Sequence, residues 1–178
     1  MTKKTGFILQ SEKKVLQSRV FSVHDEKWTD PDGKGFQRHT VRHPGAVAVL
    51  PFDAHGNVLL IRQFRPALQD FLIEIPAGTL EIGEQPLSCA KRELIEEIGF
   101  AAKKWKKLGA SALAPGYCSE IIHLYKAWDL SPAHAEQDDD ERIDAPVAYA
   151  PKKLRDAVRS GKIHDAKTLS ALYLCGLL

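Results

Sequence analysis

The 178-residue chain is predicted to fold as an α/β sandwich, on three observations. Before residue 80 its apolar runs are short and separated by turn-forming residues, which is typical of β-strands. After residue 80 such runs alternate with segments of helical spacing. Hydrophobic residues make up 44% and charged residues 27% of the chain, the balance of a globular protein. Strands and helices mixed in this order favour an α/β architecture.

The predicted strands and helices are delimited by the residues at their ends. Turn formers crowd residues 28–35, so a bend between two strands is predicted there. Further strands are predicted at 46–52, 58–64, 71–75, 121–128 and 143–149. Helices are predicted at 85–98, 151–160 and 166–178. Pro86 and Gly99 suit the start and the end of the first helix, and Asp165 suits the cap of the last.

Charge and cysteine content exclude several classes of protein. The formal net charge is +2, so there is no bulk excess to indicate binding to nucleic acid or to an anionic membrane. No apolar run is long enough to span a bilayer, and no signal peptide is recognisable. The three cysteines are widely spaced and odd in number, which argues against a disulfide framework. A cytoplasmic location is therefore predicted.

The first helix has more acidic residues than its position favours. Glu93 and Glu97 lie four residues apart beside Glu96, on the flank of an apolar stripe. The stripe is expected to comprise Leu87, Ala90, Leu94 and Ile98. Like charges at this spacing cost about 0.2–0.5 kcal/mol, and no lysine follows at i+4. A divalent cation would remove the cost, but on charge pattern alone a solvated acidic face explains the segment equally well.

The spacing of the whole segment adds to this pattern. Residues 78–100 read G-x5-E-x7-R-E-L-x-E-E-x-G-F, which resembles the signature of Nudix hydrolases without departure. The resemblance implies an α/β/α sandwich with a mixed central sheet and a loop–helix–loop metal site. It implies hydrolysis of a nucleoside diphosphate linked to another group, with Mg²⁺ or alternatively Mn²⁺. The implied metal ligands are Glu93, Glu97, Glu96 and the backbone carbonyl of Ala77. Glu84 and Arg92 are expected to hold the loop and helix together.

Shorter motifs resemble the ADP-ribose pyrophosphatase branch of that family. They are E-x-P-A-G at 74–78, Q-F-R-P at 63–66, Pro115 sixteen residues after Gly99, and the segment 161–168. The branch implies cleavage of ADP-ribose to AMP and ribose 5-phosphate. Relatives acting on GDP-mannose or other nucleoside diphosphate sugars look much alike, so they stay open. A non-catalytic ADP-ribose sensor or an RNA cap hydrolase fits the intact box and the branch motifs less well.

Several substrate-binding residues are implied by the branch. Arg65 is expected to grip the diphosphate, with a surface strand end as the alternative. Glu74 resembles the position that contacts the terminal ribose or supports the metal loop. Pro115 is expected to shape a loop at the base or ribose pocket. Arg38 could reach a phosphate across a dimer, although a plain surface arginine is favoured. Trp28 and Phe36 suit base stacking, an interface or a core equally well.

The general base is expected on a late acidic loop. Alignment with the branch places Asp139 where many relatives have glutamate, and this departure leaves Glu136 and Glu141 as alternatives. Within the box, Glu96 is the further candidate for a catalytic role. The resemblance also implies an N-terminal strand region at 1–43 that forms a homodimer and a hydrolase domain at 44–178. The expected partner is a nucleoside diphosphate sugar, with no nucleic acid and no membrane.

Overall fold

The computed structural model describes residues 6–134 and 143–178, which form two compact units. One unit comprises residues 1–45 with 112–120, and the other comprises 46–111 with 121–178. The strands are β1 (Ile8–Gln17), β2 (Ser22–Thr29), β3 (Gly35–Arg42), β4 (Ala46–Pro51), β5 (Val58–Arg65), β6 (Asp70–Glu74), β7 (Ala77–Thr79), β8 (Phe100–Ala112), β9 (Ile121–Pro132) and β10 (Val147–Tyr149). The helices are α1 (Pro86–Ile98), α2 (Pro151–Arg159) and α3 (Ala166–Leu174).

The N-terminal unit is an antiparallel sheet in the order β1-β2-β3. Its β2–β3 turn lies within the bend predicted at 28–35, where the Asp30 carboxylate accepts from the backbone N–H groups of Asp32 and Lys34. Gly33 has φ of 84°, which other residues rarely adopt. Glu26 is 1% exposed, and its carboxylate accepts hydrogen bonds from Thr40, Trp28 and Arg42. The indole of Trp28 is therefore engaged within its own sheet.

The second unit has a mixed sheet in the order β7-β4-β9-β8, together with a sheet in the order β10-β5-β6. β4 pairs parallel with β9 and antiparallel with β7, which confirms the predicted mixed α/β class. All six residues of β4 are buried, as expected for a strand covered on both faces. Both α1 and α3 contact β4. Val47 and Val49 of this strand share one core cluster with Ala90 and Leu94 of α1.

Four sequence expectations need correction. Leu87 is 39% exposed and does not belong to the buried stripe of α1, whereas Cys89 is fully buried. Residues 100–112, for which no strand was predicted, form β8 because tertiary pairing with β9 outweighs their many exposed lysines. The predicted strand 143–149 is shorter, since Ile143 makes an isolated bridge to Gln63. The last helix ends at Leu174, and Gly176 has φ of 75°.

Within the described residues, no helix is both long enough and apolar enough to cross a membrane.

Candidate active site

Helix α1 brings two carboxylates into the interior. The helix begins at Pro86 and ends at Gly99, whose left-handed conformation and N–H bond to Ile95 O close the last turn. Glu93 and Glu97 are 8% and 4% exposed, so both lie on the buried side of the helix with Leu94. Buried carboxylates require compensation by hydrogen bonds or cations. The solvated acidic face that the charge pattern also allowed is therefore wrong for these two residues.

The strand opposite α1 has no side chain where Glu93 lies. A Cβ built on Gly78 would lie less than 3.0 Å from the carboxylate atoms of Glu93, closer than real Cβ contacts come. Gly78 lies in β7 opposite Val47, and its φ is an ordinary negative value. The site therefore requires the absence of a side chain at this position, and not the backbone freedom of glycine. The glycine thus provides the space in which the Glu93 carboxylate meets the backbone of β7.

The second buried carboxylate is fixed by the neighbouring residue of the same strand. The backbone N–H of Ala77 donates to Glu97 Oε2 over 2.8 Å. Glu93 and Glu97 therefore both converge on the short strand β7, one through the space left by Gly78 and the other through a hydrogen bond to Ala77. Two predicted metal ligands, the carboxylates of Glu93 and Glu97, therefore lie beside β7 at Gly78 and Ala77.

Arg92 compensates for the charge of the acidic helix. Its guanidinium donates to Glu93 Oε1 over 2.7 Å, to Glu96 Oε2 over 2.8 Å and to both oxygens of Glu84 over 3.2 Å. The expectation of an uncompensated like-charge penalty is therefore wrong. The sequence shows no lysine four residues after these glutamates. The compensating cation is Arg92, which lies four residues before Glu96. The predicted role of Arg92 and Glu84 in joining loop and helix agrees with these contacts.

The electrostatics of this cluster follow from Arg92. Its hydrogen bonds hold the pKa of the Glu84 carboxyl below its usual range, against the opposing effect of burial. Burial by itself would lower the pKa of the Arg92 guanidinium, but the surrounding glutamates raise it overall. Burial, reinforced by the charge of Glu93, raises the pKa of the Cys89 thiol. Cys89 is therefore a buried thiol whose protonated, unreactive form is favoured.

The donor set fits a hard divalent cation. Such ions take carboxylate and backbone carbonyl oxygens. Glu93 and Glu97 supply carboxylates beside β7, and Glu96 shares Arg92 with Glu93. Among residues 6–134 and 143–178, no three His, Cys, Asp or Glu side chains form a ready-made ligand cluster. Arg92 binds oxygens of Glu93 and Glu96, so a cation there would share those carboxylates with the guanidinium.

A cavity of about 280 Å³ lies at the C-terminal end of α1. It is lined by residues 95–99, 133–134 and 143–146, which include Glu96 and Glu97. The residues that border the segment 135–142, His134 and Ile143, are among them. The predicted bases Glu136, Asp139 and Glu141 belong to that segment and lie outside the described residues.

A second charged cluster joins β5, β6 and α3. The Arg65 guanidinium binds both oxygens of Glu74, with Nε to Oε1 at 2.7 Å and Nη2 to Oε2 at 2.9 Å. Glu74 is fully buried, while the Arg65 side chain is 34% exposed. The Lys167 ammonium contacts Glu74 Oε2 and also lies 3.1 Å from Asp165 Oδ1. Burial, followed by the charge of Arg65, lowers the pKa of Lys167. Its contact with the buried Glu74 carboxylate opposes this effect and favours the ammonium form. The alternative that Arg65 is only a surface residue at a strand end is thus incomplete, because its guanidinium is bound to the buried carboxylate of Glu74.

Lys167 was not identified as a site residue from sequence, although the segment 161–168 was noted. The signal was available: in a helix over 166–174, Lys167 falls on the same side as the apolar Ala171, and the structure shows both buried. A lysine at a buried helix position requires a carboxylate partner. The sequence could have indicated that requirement, but not that the partner is Glu74.

The remaining predicted residues belong to the N-terminal unit. Arg38 is exposed, donates to Gln37 O over 2.8 Å and lies 5.1 Å from the ring centroid of Phe36. Phe36 also makes an edge contact with Phe7 at 6.2 Å. Pro115 is exposed in the turn where Ala114 O accepts from the N–H groups of Tyr117 and Cys118. The structure thus gives these residues local contacts within their unit, and their substrate roles remain predictions.

Comparisons with known proteins bear on this site. A model of the NUDIX domain matches residues 41–171. The ADP-ribose pyrophosphatase of Bacillus subtilis is 39% identical over 91% of this chain and 88% of that protein. The GDP-mannose pyrophosphatase of Escherichia coli (strain SMS-3-5 / SECEC) is 31% identical over 89% of this chain and 90% of that protein. The crystal structure of an ADP compounds hydrolase superposes with a TM-score of 0.84 at 24% identity, covering 96% of this chain and 92% of that one.

The chain therefore belongs to the Nudix family, and the predicted Nudix sandwich with an N-terminal antiparallel region is confirmed. The resemblance to the ADP-ribose pyrophosphatase branch is confirmed by relatives that match most of the chain. Within the family, the protein is a Nudix pyrophosphohydrolase.

Proposed function

We propose that this chain hydrolyses the pyrophosphate bond of ADP-ribose, giving AMP and ribose 5-phosphate, with Mg²⁺ as its cation and Mn²⁺ as the alternative. The observation that carries the proposal is the convergence of buried Glu93 and Glu97 on Ala77 and Gly78. The choice of ADP-ribose is supported by the relative at 39% identity that is named an ADP-ribose pyrophosphatase.

The side chains of the site have two kinds of role, which are to balance charge and to position the reacting groups. A bound divalent cation supplies neutralisation of the diphosphate and a lower pKa for the attacking water. Glu93, Glu97, Glu96 and the Ala77 carbonyl would hold it. Arg92 holds two of these ligands, Glu93 and Glu96, together with Glu84 of the preceding loop. Arg65 binds the diphosphate and stabilises the negative charge that develops as the bond breaks.

The base is proposed to be Asp139, with Glu136 and Glu141 as the alternatives. Support comes from the cavity at the end of α1, because the residues on both sides of segment 135–142 line it beside Glu96 and Glu97. Replacing Asp139 by Asn should lower kcat by at least about 100-fold with KM little changed. If Glu136→Gln or Glu141→Gln is inactive while Asp139→Asn is active, the base is one of those two residues.

GDP-mannose or another nucleoside diphosphate sugar is the second candidate substrate. A relative named GDP-mannose pyrophosphatase covers nearly as much of the chain as the ADP-ribose enzyme does, at 31% identity. A role as a non-catalytic sensor is disfavoured because all four box glutamates are present, and Glu84, Glu93 and Glu96 meet on Arg92. Nucleic acid is not expected as a substrate, since the net charge is only +2.

The decisive experiment is a substrate panel with matched variants. Phosphate-containing products are measured from ADP-ribose, GDP-mannose, other nucleotide sugars, dinucleotides and capped RNA, with Mg²⁺, with Mn²⁺ and with chelator. We expect ADP-ribose to give the highest kcat/KM and chelator to abolish turnover. Glu93→Gln and Glu97→Gln should each lose at least about 100-fold. Glu81→Gln, an exposed glutamate that precedes the same helix, is the control and should retain activity. Metal-dependent turnover by Glu97→Gln at the wild-type rate would remove the metal assignment.

Dimerisation and cellular location belong to the same proposal. We expect residues 1–43 to form a homodimer, which is supported by the exposed apolar side chains along the N-terminal strand region. These are Phe7, Ile8, Leu9, Val15, Leu16 and Phe21. Light scattering after size-exclusion chromatography should give twice the 19.8 kDa chain mass. The three free cysteines are consistent with the reducing cytoplasm.

A further inference from the structure

We propose that Lys167 is a positioning residue that neutralises Glu74, so that Arg65 can leave Glu74 and bind the substrate diphosphate. The inference rests on the proposed function, in which Arg65 is the diphosphate ligand. It concerns the segment 161–168, to which the catalytic proposal assigns no role. In this view Arg65 has two partners, the buried carboxylate in the free enzyme and the diphosphate in the complex.

Arg65 and Glu74 are not direct neighbours across the β5–β6 strand pair, so the Arg65 side chain must extend along the strand to contact Glu74. In the β5–β6 pairing Arg65 lies opposite Asp70, while Glu74 lies opposite Ile61. Four residues of strand separate the two positions, about 13 Å at the usual rise. Both side chains must therefore extend along the sheet face between them. Gln63, which shares this face, is only 3% exposed, whereas its neighbours Arg62 and Phe64 are exposed.

Arg65 is the exchangeable member of the cluster. Its side chain is 34% exposed, while those of Glu74 and Lys167 are 0% and 8% exposed. The guanidinium uses Nε and Nη2 on Glu74, and a diphosphate offers the same bidentate geometry with more negative charge. Rotation of the exposed arginine toward a substrate is therefore far easier than movement of either buried partner.

Departure of Arg65 would be prohibitive if Glu74 had no other cation. A fully buried carboxylate left without a counterion is strongly destabilising. Lys167 contacts Glu74 Oε2, the oxygen that Arg65 Nη2 also binds, so it stays with the carboxylate when the arginine leaves. The lysine thus removes most of the electrostatic cost of transferring Arg65 from Glu74 to the diphosphate.

Contacts in the first turn of α3 fix the position of Lys167 next to Glu74. Asp165 caps the helix by accepting from Thr168 N over 2.9 Å, and its other oxygen binds the Lys167 ammonium. The Thr168 hydroxyl donates to Asp165 and accepts from Ile75 N over 3.0 Å, which joins the turn to the residue after Glu74. The segment D-A-K-T is therefore attached to residues 74–75 by the ion pair of Lys167 with Glu74 and by the hydrogen bond from the Ile75 N–H to the Thr168 hydroxyl.

The test uses inorganic pyrophosphate as a diphosphate probe and steady-state hydrolysis of ADP-ribose. Pyrophosphate binding is measured by calorimetry with EDTA present, so that no metal contributes. The variants are Lys167→Met, Lys167→Arg and the double variant Glu74→Gln/Lys167→Met. Lys162→Met is the control, since Lys162 is an exposed lysine of the same segment. Thermal unfolding of every variant is recorded.

Lys167→Met should weaken pyrophosphate binding and raise KM by at least about tenfold, because Arg65 must then leave a buried carboxylate that has no other cation. The change in kcat should be much smaller, since saturating substrate draws Arg65 onto the diphosphate. Lys167→Arg should restore most of the affinity, and Lys162→Met should leave it unchanged. The double variant should bind pyrophosphate within about threefold of wild type, since no carboxylate retains Arg65. This variant removes both charges of the Glu74–Lys167 pair and leaves Asp165 its hydrogen bonds to Thr168, so it tests the inference even if Lys167→Met does not fold.

Three results would overturn the inference. They are wild-type pyrophosphate affinity in Lys167→Met, no recovery in Lys167→Arg, and weak binding by the double variant. Failure of the proposed function is a separate outcome. It would appear as no turnover of any nucleotide diphosphate by the wild-type enzyme, while the pyrophosphate measurements would still decide the role of Lys167.

Discussion

Replacing Gly78 by alanine tests whether the space above β7 is what places the Glu93 carboxylate. The added Cβ would overlap the carboxylate, which must retreat by roughly 1 Å or more to reach ordinary contact. Glu93 is buried and bound to Arg92, so the retreat also disturbs that ion pair. Overpacking of this kind costs about 1–3 kcal/mol of unfolding free energy. A displacement of this size at a ligand should lower kcat/KM by about 100-fold.

The assay combines Mg²⁺ titration of ADP-ribose hydrolysis with thermal unfolding. Gly78→Ala should remain folded, lose most of its activity and require more Mg²⁺ for half-maximal rate. Gly35→Ala is the matched control, because a Cβ there meets nothing nearer than Trp28 O at 3.9 Å, and it should behave as wild type. Wild-type kcat/KM and Mg²⁺ dependence in Gly78→Ala would refute the assigned position of Glu93.

Three further predictions concern stability. Replacing Arg92 by Met should lower the unfolding free energy by about 1–3 kcal/mol, because three carboxylates lose their shared donor. Added Mg²⁺ should restore part of this loss, whereas the exposed Lys91→Met should show no loss in unfolding experiments. Hydrogen bonds from Thr40 and Trp28 and the charge of Arg42 outweigh the effect of burial and keep the pKa of Glu26 below its ordinary value of 4.5. The unfolded chain therefore binds the proton more readily, so the stabilisation is complete above pH 4.5 and is lost as the pH falls below it. Denaturant unfolding should show Glu26→Gln less stable at pH 7, with the gap to wild type closing in acid; a gap independent of pH would contradict this. Asp165→Ala should cost about 1 kcal/mol through loss of the α3 cap, and the exposed Asp156→Ala in α2 should cost less in the same unfolding assay.

Helix α1 illustrates how much a local pattern predicts. Pro86 and Gly99 gave its ends correctly, because helix termini depend on φ preferences that the residues themselves impose. The spacing of Glu93 and Glu97 indicated that they share a side of the helix. Their burial did not follow from the helix alone, since it depends on β7 approaching without a side chain at Gly78.

The errors arose where tertiary contacts outweighed local preference. Residues 100–112 contain many exposed lysines and were not predicted as a strand, yet pairing with β9 makes them β8. Leu87 fits the helical period but is 39% exposed, because burial depends on tertiary packing and not on the period alone. The sequence showed no cation four residues after these glutamates, whereas the structure shows that Arg92 binds Glu93 and Glu96, which follow it, and Glu84 in the preceding loop.

The sequence by itself determined the α/β class, the ends of α1 and the family, because these depend on local periodicity and on a fixed spacing of residues. The tertiary structure alone decided which charges meet. Glu74 and Lys167 lie 93 residues apart in the chain, and Arg65 reaches the same carboxylate along the face of a sheet. Ion pairs between distant segments depend on how the chain packs, and no local pattern encodes that arrangement.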